Sequence, residues 1–559
     1  MKKTVIKMLS LLLTALMLAS CSGNTVDSAP KVADGGSGTA ENAIQVQENE
    51  PITITIVASL SETTPTDSSN HSVNYIEEHT GYKLKFITLP QNEADAEAKF
   101  SLLVSSGDYG DVFCRTILRA QMKQLAREGI VVQIDEYIDS SAELKKLYEM
   151  RPEYKDKSYF EDGKIYGFLS VSETYHSQAY PKMWVNQKWM EALNIDVPNT
   201  TEEFYDMLVD FRDMDPNGNG IKDEIPLTSN IEWTNQVEAY LMNSFVPFEY
   251  TAMSYSKDGK VIFSAAQEEF REGLRYIKRL VDDGLLDVAA FTQKQDQMQQ
   301  LIRQEPYRVA AYVGEHFGIG VDLANRDQNE AMIAIPPVEG PGGVRTMIKN
   351  DFRDRVGNFA YAITDKCQNP QAAFEIGDFM MNLECELTTH HGPEGQGWGK
   401  YDAPVKSALG MDAFYWINDD YGSEGGDKFK DLLYIGPTNG TTEVRQMWSP
   451  MPDDLYTAEA YETRLTIETQ KMLQYFYPEY LPRNIEIYIE DPEEASYFNE
   501  LRLTLRELIK TNAAQFITGD KSLDSDWDSF VNELKQYQMD KYVELYQQYF
   551  EIYKSQASE

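Results

Sequence analysis

Positive charge is scarce in this chain. Lys and Arg together number 51, against 90 Asp and Glu, which gives a net charge of −39 over 559 residues. A surface this acidic repels nucleic acid and anionic membranes, so neither is expected to bind the folded part of the chain. The same charge favours a soluble protein that makes few non-specific contacts.

Cysteine is also scarce, with four residues in the whole chain. One of them, Cys21, lies close to the N-terminus, and the other three are Cys114, Cys367 and Cys385. An odd number of downstream cysteines allows at most one disulfide. No CxxC or Cys/His spacing indicates a zinc site, so buried free thiols are expected.

Short catalytic motifs are missing as well. The sequence contains no GxSxG, HExxH, Walker or Rossmann fingerprint. His390 and His391 are adjacent, so in any regular element they point in two directions and chelate poorly. His316, in a glycine-rich turn, is expected to be a hydrogen-bonded loop residue. With ninety acidic residues, some carboxylate pair is unavoidable, so a secreted glycoside hydrolase stays open as an alternative.

The N-terminus has the pattern of a processing segment. A basic start at Lys2 and Lys3 precedes an apolar run from Met8 to Leu18, which is short for a membrane span. The following Leu-Ala-Ser-Cys21 resembles a bacterial lipobox, in which the peptide is cut before the cysteine and the thiol carries lipid such as palmitate. We therefore predict a signal peptide at 1–20, lipidation of Cys21, and a flexible tether over 21–50, which is rich in Ser, Gly, Asp and Asn.

Alternating strand and helix patterns follow the tether. Strands are predicted at 52–58 and 82–89, with helices at 70–79 and 93–105 and a short third strand ending in Val112-Phe113. This alternation predicts a parallel, doubly wound α/β sheet. Because 559 residues are too many for one hydrophobic core, two or more domains or lobes are expected.

A capped helix and an acidic loop form the sharpest local signal. Thr200 is the predicted N-cap, Glu203 its capping-box partner, and apolar residues then recur at helical spacing. The loop after this helix places oxygen-bearing side chains where the first half of a calcium loop has them. The candidate ligands are Asp215, Asn217, Asn219, the carbonyl of Ile221, Asp223 and Glu224. Pro226 stands where the usual bidentate Glu would be, and a metal-free type I turn is the alternative.

Several motifs together resemble the bacterial extracellular solute-binding proteins of ABC importers, family 1. The nearest group is the large Gram-positive lipoproteins and the calcium-containing alginate-oligosaccharide binders. The resemblance covers roughly residues 51–555 and depends on the lipobox, Ser105–Val112, Asp162–Gly167, Trp189–Ile195 with Pro198, the loop 215–226, and Phe516–Gly519. A departure is Val185–Lys188, where relatives more often have an Arg-Asp pair, so no ligand role is transferred to it.

The resemblance implies a fold and a function. The expected fold is α/β and two-lobed, periplasmic-binding-protein-like of the class II type, with extra C-terminal helices. Lobe 1 is expected at 51–168 plus 355–395, and lobe 2 at 169–354 plus 396–559. The expected function is that of a monomeric, lipid-anchored importer component on the extracellular face, which binds an oligosaccharide without catalysis, partners ABC permease subunits and holds a structural calcium ion. A solute receptor that feeds a sensor kinase has the same sequence features and stays open.

Candidate ligand residues follow from the chemistry of sugars. Aromatic rings stack on sugar faces, and charged or amide side chains form bidentate hydrogen bonds with hydroxyls. The candidates are Trp233, Trp398 and Trp416, which are expected in loops, and Arg115, which ends the predicted third strand. Packing between elements is the alternative for the tryptophans, and a solvated surface position is the alternative for Arg115. Trp184 and Trp189 are predicted to be core residues.

Overall fold

The structure is a computed structural model. It describes residues 51–60, 64–90, 93–232, 235–323, 325–351, 356–418, 433, 435–457, 460–479, 481–483, 485–489 and 491–557. The predicted signal peptide, the lipidation site Cys21, the tether and the candidate ligand residue Trp233 lie outside these residues.

The strands of the described residues are short, as in most α/β proteins. They are β1 Thr53–Ser59, β2 Lys83–Leu89, β3 Val112–Ile117, β4 Phe168–Leu169, β5 Lys182–Asn186, β6 Ser254–Lys257, β7 Lys260–Phe263, β8 Ala311–Gly314, β9 Met332–Ile335, β10 Phe359–Ile363, β11 Trp398–Lys406 and β12 Asp412–Ile417.

The helices of the described residues are more variable in length. They are α1 His71–Thr80, α2 Glu93–Ser106, α3 Arg119–Arg127, α4 Asp135–Ile138, α5 Leu144–Met150, α6 Pro152–Ser158, α7 Gln187–Leu193, α8 Thr201–Asp213, α9 Val237–Leu241, α10 Glu268–Asp282, α11 Gln295–Arg303, α12 Arg326–Ala331, α13 Pro370–Met380, α14 Leu383–His391, α15 Thr442–Gln446, α16 Tyr461–Gln470, α17 Pro492–Thr518, α18 Trp527–Gln536 and α19 Met539–Ala557. None of these helices combines the length and the apolar character that a membrane span needs.

The first sheet has five strands in the order β2-β1-β3-β10-β4. β1 pairs in parallel with both β2 and β3, which confirms the predicted parallel, doubly wound start of the fold. β10 runs antiparallel to its neighbours β3 and β4, although it follows them in the chain by some 190 residues or more. A late antiparallel strand inserted into a 2-1-3 sheet agrees with the predicted class II arrangement.

Local signals explain where the first helix begins and ends. The side chain of Asn70 accepts hydrogen bonds from the backbone N–H groups of Ser72 and Val73, which satisfies two donors at the N-terminus of α1. Gly81 ends the helix in the left-handed conformation with φ of 76°, which is strained for residues that have a Cβ atom. These two residues fix α1 between β1 and β2, within one residue of its predicted position.

A second sheet forms the centre of a separate hydrophobic core. β5 lies between β8 and β9 and pairs antiparallel with both. Trp184 on β5 is fully buried, and its indole N–H donates to the carbonyl of Gly314 at 3.1 Å. Trp189 is buried in the same core, so the prediction that both are core residues is confirmed.

The C-terminal helices belong to this second core. Phe498 on α17 stacks on Tyr542 of α19 with ring centroids 5.0 Å apart, and Trp527 of α18 packs on Phe516. All four side chains are buried. The predicted extra helices at the C-terminus therefore extend the second lobe.

The chain passes between the two cores three times. The first core contains Val171, Val356 and Leu433, and the second contains Ala179, Met347 and Leu465. The crossings thus fall at 171–179, 347–356 and 433–465. The protein has two lobes joined by three segments, as the family resemblance implies.

The hairpin of β11 and β12 lies apart from both cores. Trp398, Ile417 and Trp448 form a small apolar cluster with Leu387 of α14. Leu433 packs in the first core. Leu433 and most of the small cluster fall within the 396–559 range that was expected for lobe 2. Trp398 and Trp416 were expected in loops, and that expectation was wrong, because both lie on paired strands.

Candidate functional site

A cavity of about 1150 Å³ opens at the carboxyl edge of the first sheet. Its wall includes Ser59 at the end of β1, Thr116 near the end of β3 and Ser170 directly after β4. Ligands of open α/β sheets bind outside the carboxyl ends of the strands, at the point where the strand order reverses. The position of the cavity follows from the strand order of this sheet.

Arg115 of β3, a predicted ligand residue, lines this cavity. Its Nη2 donates to Oε2 of Glu97 at 2.8 Å, and its guanidinium lies 4.4 Å from the centre of the Phe100 ring. The other oxygen of Glu97 accepts from the amide of Gln121 at 2.9 Å. Nη1 of Arg115 is buried and has no hydrogen-bond partner in the described structure. Arg115 is therefore held in place by Glu97 and Phe100, and Gln121 in turn fixes Glu97, while Nη1 of Arg115 has no hydrogen-bond partner among the described residues.

The rest of the wall is dominated by uncharged groups. Hydroxyls come from Ser59, Thr116, Ser170, Ser172 and Thr438, and apolar surface comes from residues such as Leu118, Val171 and Ile435. Leu118 is 55% exposed, although it is a large aliphatic side chain. A wall of hydroxyls and isolated apolar groups suits a ligand that has both hydroxyl groups and C–H faces.

His390 contributes a titratable group to the same wall. Its Nδ1 lies 2.9 Å from the carbonyl of Glu386 one helical turn back, and burial lowers its pKa to about 4, with a smaller contribution from His391. His391 instead packs against the ring of Trp448. The two histidines point in different directions, as their adjacency predicts, and the imidazole at the cavity is neutral at physiological pH.

The first and third crossings pair with each other beside the cavity. Ser172 and Gly440 form a parallel bridge, and the N–H of Glu173 donates to the carbonyl of Gly440 at 2.7 Å. A Cβ atom at position 440 would lie 2.3 Å from the carbonyl oxygen of Val171, so this close approach requires glycine. The two segments are therefore closely paired beside the cavity.

The first and second crossings are also paired. Asn350 donates its backbone N–H to the carbonyl of Gln178 at 2.8 Å and its side-chain amide to the carbonyl of Ser177 at 2.7 Å. Ala179 and Lys349 form an antiparallel bridge. The first crossing thus lies between the other two and is hydrogen-bonded to both. Connections of this kind are typical of hinges.

The loop after α8 is a tight turn with three residues in the left-handed region. Asp215, Gly218 and Gly220 all have positive φ, near 49°, 70° and 75°. Asp215 accepts hydrogen bonds from the N–H groups of Asn219 and Gly220, and the Asn219 side-chain oxygen accepts from the N–H of Ile221. The side-chain amide of Asn219 donates to Asp223 at 3.0 Å. The predicted ligand residues therefore share one compact turn.

Glu224 is the unusual member of this loop. Its carboxylate is buried, yet neither oxygen has a hydrogen-bond partner in the described structure. Burial raises its pKa, and the nearby charges of Asp215 and Asp223 raise it further. An unpartnered carboxylate among other carboxylates is costly unless a cation neutralises it, so the donor set fits a hard divalent cation. Within the described residues, no three His, Cys, Asp or Glu side chains are arranged as a metal-holding group.

The tryptophans proposed from sequence have different surroundings. Trp398 is 1% exposed in the small cluster, and its indole N–H points to the Thr388 hydroxyl at 3.3 Å. Its ring faces are thus covered in this structure. Trp416 is half-buried beside Gly399 and does not line the cavity. Of the described ligand candidates, Arg115 alone lies in the cavity wall.

The downstream cysteines are free thiols. Cys114 and Cys385 are buried, and Cys367 is half-buried. Burial raises the pKa of the Cys114 thiol to about 12, so it is unreactive at neutral pH. Cys114 also lines the cavity, as a small apolar surface.

Comparison with known proteins decides the family. The model of a family described as bacterial extracellular solute-binding protein matches residues 72–392, which is more than half of the chain. The chain belongs to this family. This confirms the resemblance stated from the sequence motifs, and the two lobes, three crossings and cavity are those of a solute-binding protein.

Two bacterial proteins are similar over most of the chain. The fructooligosaccharide ABC transporter substrate-binding protein FusA of Streptococcus pneumoniae is 23% identical, over 98% of each chain. Lipoprotein LipO of Bacillus subtilis is 21% identical, over 72% of this chain and 75% of its own.

Solved structures of solute-binding proteins share the fold. FusA in complex with kestose has a TM-score of 0.69 at 21% identity, covering 90% of this chain and 100% of FusA. Another FusA structure is described as an EF-hand mutant in complex with fructo-nystose, with a TM-score of 0.68 at 20% identity and the same coverage. An HMO-binding solute-binding protein from Bifidobacterium longum infantis has a TM-score of 0.72 at 17% identity, covering 90% of this chain and 99% of its own.

Sequence reasoning missed most of the cavity wall. Glu97, Gln121 and His390 line it, but they come from three helices or their flanks and have no shared motif. The one usable signal was the position of Arg115 near the end of a predicted strand.

Proposed function

We propose that this protein is the substrate-binding component of an ABC importer and that it binds an oligosaccharide between its two lobes without converting it. The observation that carries this proposal is the cavity at the carboxyl edge of the first sheet, beside the paired crossings. Family membership supports it, as do the fructooligosaccharide transport function of FusA and the HMO binding of the Bifidobacterium protein.

The size and chemistry of the cavity support a sugar ligand. A volume of about 1150 Å³ lies slightly above the usual range for small-molecule sites. This size suits a ligand of several sugar units. Hydroxyls from Ser59, Ser170 and Thr438 offer donors and acceptors, and Leu118 offers an apolar face. Arg115 in the wall provides a charged group that can donate to a ligand oxygen.

Lobe closure about the crossings is the proposed binding step. Glu173, Gly440 and Asn350 connect the three segments through backbone and side-chain hydrogen bonds that do not depend on the ligand. A ligand that contacts both lobes stabilises the closed state by the difference in its affinity for the two states. The closed form would then be recognised by the permease subunits, and the binding protein acts as a monomer.

Lipid attachment at Cys21 is the proposed anchor to the extracellular face of the membrane. The Leu-Ala-Ser-Cys21 pattern supports it, as does the lipoprotein relative LipO. The tether over 21–50 would let the folded lobes reach a permease in the same membrane. An acidic surface would keep them from adhering to anionic lipid.

A structural calcium ion is proposed for the loop after α8. The residues that would hold it are Asp215, Asn217, Asn219, the Ile221 carbonyl, Asp223 and Glu224. The ion would supply positive charge to the buried carboxylate of Glu224 and fix the turn. The unpartnered oxygens of Glu224 and the EF-hand named for FusA support this proposal.

Calorimetric titration against a panel of oligosaccharides, short peptides and monosaccharides tests the function. Saturable binding of at least one oligosaccharide, with peptides and monosaccharides inactive, is the expected result. Tight binding of peptides with no response to any sugar would contradict the proposal.

A further inference from the structure

We infer that the cavity selects an uncharged oligosaccharide and discriminates against one that contains uronate units. This inference rests on the proposed function, because it assumes that the ligand is an oligosaccharide. Its basis is the pairing of Arg115 with Glu97 in the cavity wall.

The described wall of the cavity has no net charge. Among its described lining residues, Glu97 and Arg115 are the two that are charged at neutral pH, and they lie 2.8 Å apart. His390 also lines the wall, and burial keeps its imidazole neutral. A carboxylate that leaves water for a binding site is stabilised most strongly by a cation that is not already neutralised. The described wall provides none.

The position of Glu97 makes the wall unfavourable to an acidic sugar. One Glu97 oxygen accepts from Arg115, and the other accepts from Gln121 at 2.9 Å. A ligand carboxylate placed beside Arg115 in the wall would share its guanidinium with Glu97. Two carboxylates on one cation repel each other, whereas a hydroxyl or a ring oxygen beside the same guanidinium does not meet this cost.

The negative charge of the whole protein also disfavours an anionic ligand. A net charge of −39 repels an anionic ligand during approach and leaves a neutral one unaffected. At the ionic strength of a cell this long-range field is partly screened. The contact between ligand and Arg115 therefore decides the selectivity, and the field adds to it.

The test compares neutral oligosaccharides with oligogalacturonates of equal length by calorimetry. We expect the wild-type protein to bind the best neutral ligand at least about tenfold more tightly than the best uronate ligand. The substitution Glu97→Gln frees Arg115 from its counter-charge. This variant should have a Kd for oligogalacturonate that is lower by about tenfold, relative to its Kd for the neutral ligand, than the wild type.

Two further variants separate this local effect from total charge and from misfolding. Glu268→Gln removes the same charge beside Arg271 on α10, outside the cavity wall, so its Kd ratio should equal that of the wild type. Gln121→Glu adds a second carboxylate near Arg115 and should weaken oligogalacturonate binding further. Melting curves establish that each variant is folded.

Each outcome decides a different claim. If wild-type protein binds oligogalacturonate as tightly as the best neutral ligand, the selectivity inference is wrong and the proposed function stands. If Glu97→Gln leaves the Kd ratio unchanged, or Glu268→Gln shifts it equally, Glu97 is not its cause and the inference fails. If no oligosaccharide of either kind binds, the proposed function fails and the inference fails with it.

Discussion

Arg151 of the first lobe makes two hydrogen bonds, each of 2.8 Å, with the buried carboxylate of Glu173 in the first crossing. Tyr154 donates to the same carboxylate at 2.6 Å, and the backbone N–H of Thr442 in α15 donates at 2.7 Å. One side chain thus connects the first lobe with two of the three crossings. It holds the start of the hinge in a fixed position relative to the cavity.

This network predicts an acid-sensitive stability. Burial alone raises the pKa of Glu173, but the hydrogen bonds from Arg151, Tyr154 and Thr442 outweigh it, so the pKa lies below its ordinary value of 4.5. Its contribution to stability is fully present above that value and is lost as the pH falls through the folded-state pKa. Melting temperatures measured from about pH 6 to about pH 3 should therefore fall less steeply for Glu173→Gln than for the wild type.

At neutral pH the same substitution should lower the free energy of unfolding by about 3 kcal/mol, because it leaves Arg151 without its buried partner. Glu443→Gln is a useful control, since Glu443 also pairs with Arg151 but its side chain is 42% exposed, whereas that of Glu173 is fully buried. It should cost much less stability. An equal loss for both variants would contradict the assigned role of Glu173.

Calcium should raise the melting temperature of the wild-type protein, and a chelator should reverse the effect. Binding to the folded state alone stabilises it by mass action. Glu224→Gln removes a buried charge that has no protein partner, so the variant should respond weakly to calcium and should tolerate chelator better than the wild type.

Glu202→Gln provides the matched control for calcium binding, because Glu202 lies on the exposed face of α8, the helix that precedes the loop. It should keep the full response to calcium and to chelator. Identical melting curves of the wild type with and without chelator would refute the metal site.

Arg115→Met should weaken oligosaccharide binding by about 1.5–3 kcal/mol, the range for a hydrogen bond to a charged group. The substitution keeps an unbranched side chain over the Phe100 ring and removes the guanidinium from the cavity wall. Calorimetry measures the affinity, and Arg275→Met on the exposed face of α10 serves as control. Unchanged affinity for Arg115→Met would show that the cavity wall does not bind the ligand through this residue.

Trp398→Ala should destabilise the protein by about 3–5 kcal/mol, as expected for removing a buried aromatic ring. Because the ring is enclosed by Leu387, Ile417 and Trp448, the affinity of the folded variant should change little. Phe414→Ala in β12, where the side chain is 41% exposed, is the control and should cost much less stability. A selective loss of sugar affinity for Trp398→Ala would restore the ligand role predicted from sequence.

The sequence was most informative where local chemistry determines structure. Asn70 and Gly81 predicted the limits of α1, and the apolar spacing after Thr200 predicted α8. Even here one detail differs. Thr200 caps α8 by accepting from the N–H of Glu203, but the Glu203 carboxylate accepts from Asn199 and not from the N-cap residue itself.

The cavity wall depends on contacts that sequence patterns do not specify. Glu97 and Arg115 lie on a helix and a strand, and only the sheet order brings them together. The hairpin of β11 and β12 was missed because its glycines and aromatics are typical of loops. At Gly399 the absence of a side chain admits the Trp416 ring, since a Cβ atom there would lie 2.3 Å from it.

The most direct test of the account is one titration of the mature protein with neutral oligosaccharides in which both the binding heat and the recovered ligand are analysed. If the protein binds an oligosaccharide without converting it, the titration gives a saturable one-to-one isotherm, and all of the ligand is recovered unchanged after prolonged incubation. Shorter sugars in the recovered sample, or no binding heat with any oligosaccharide, would contradict it.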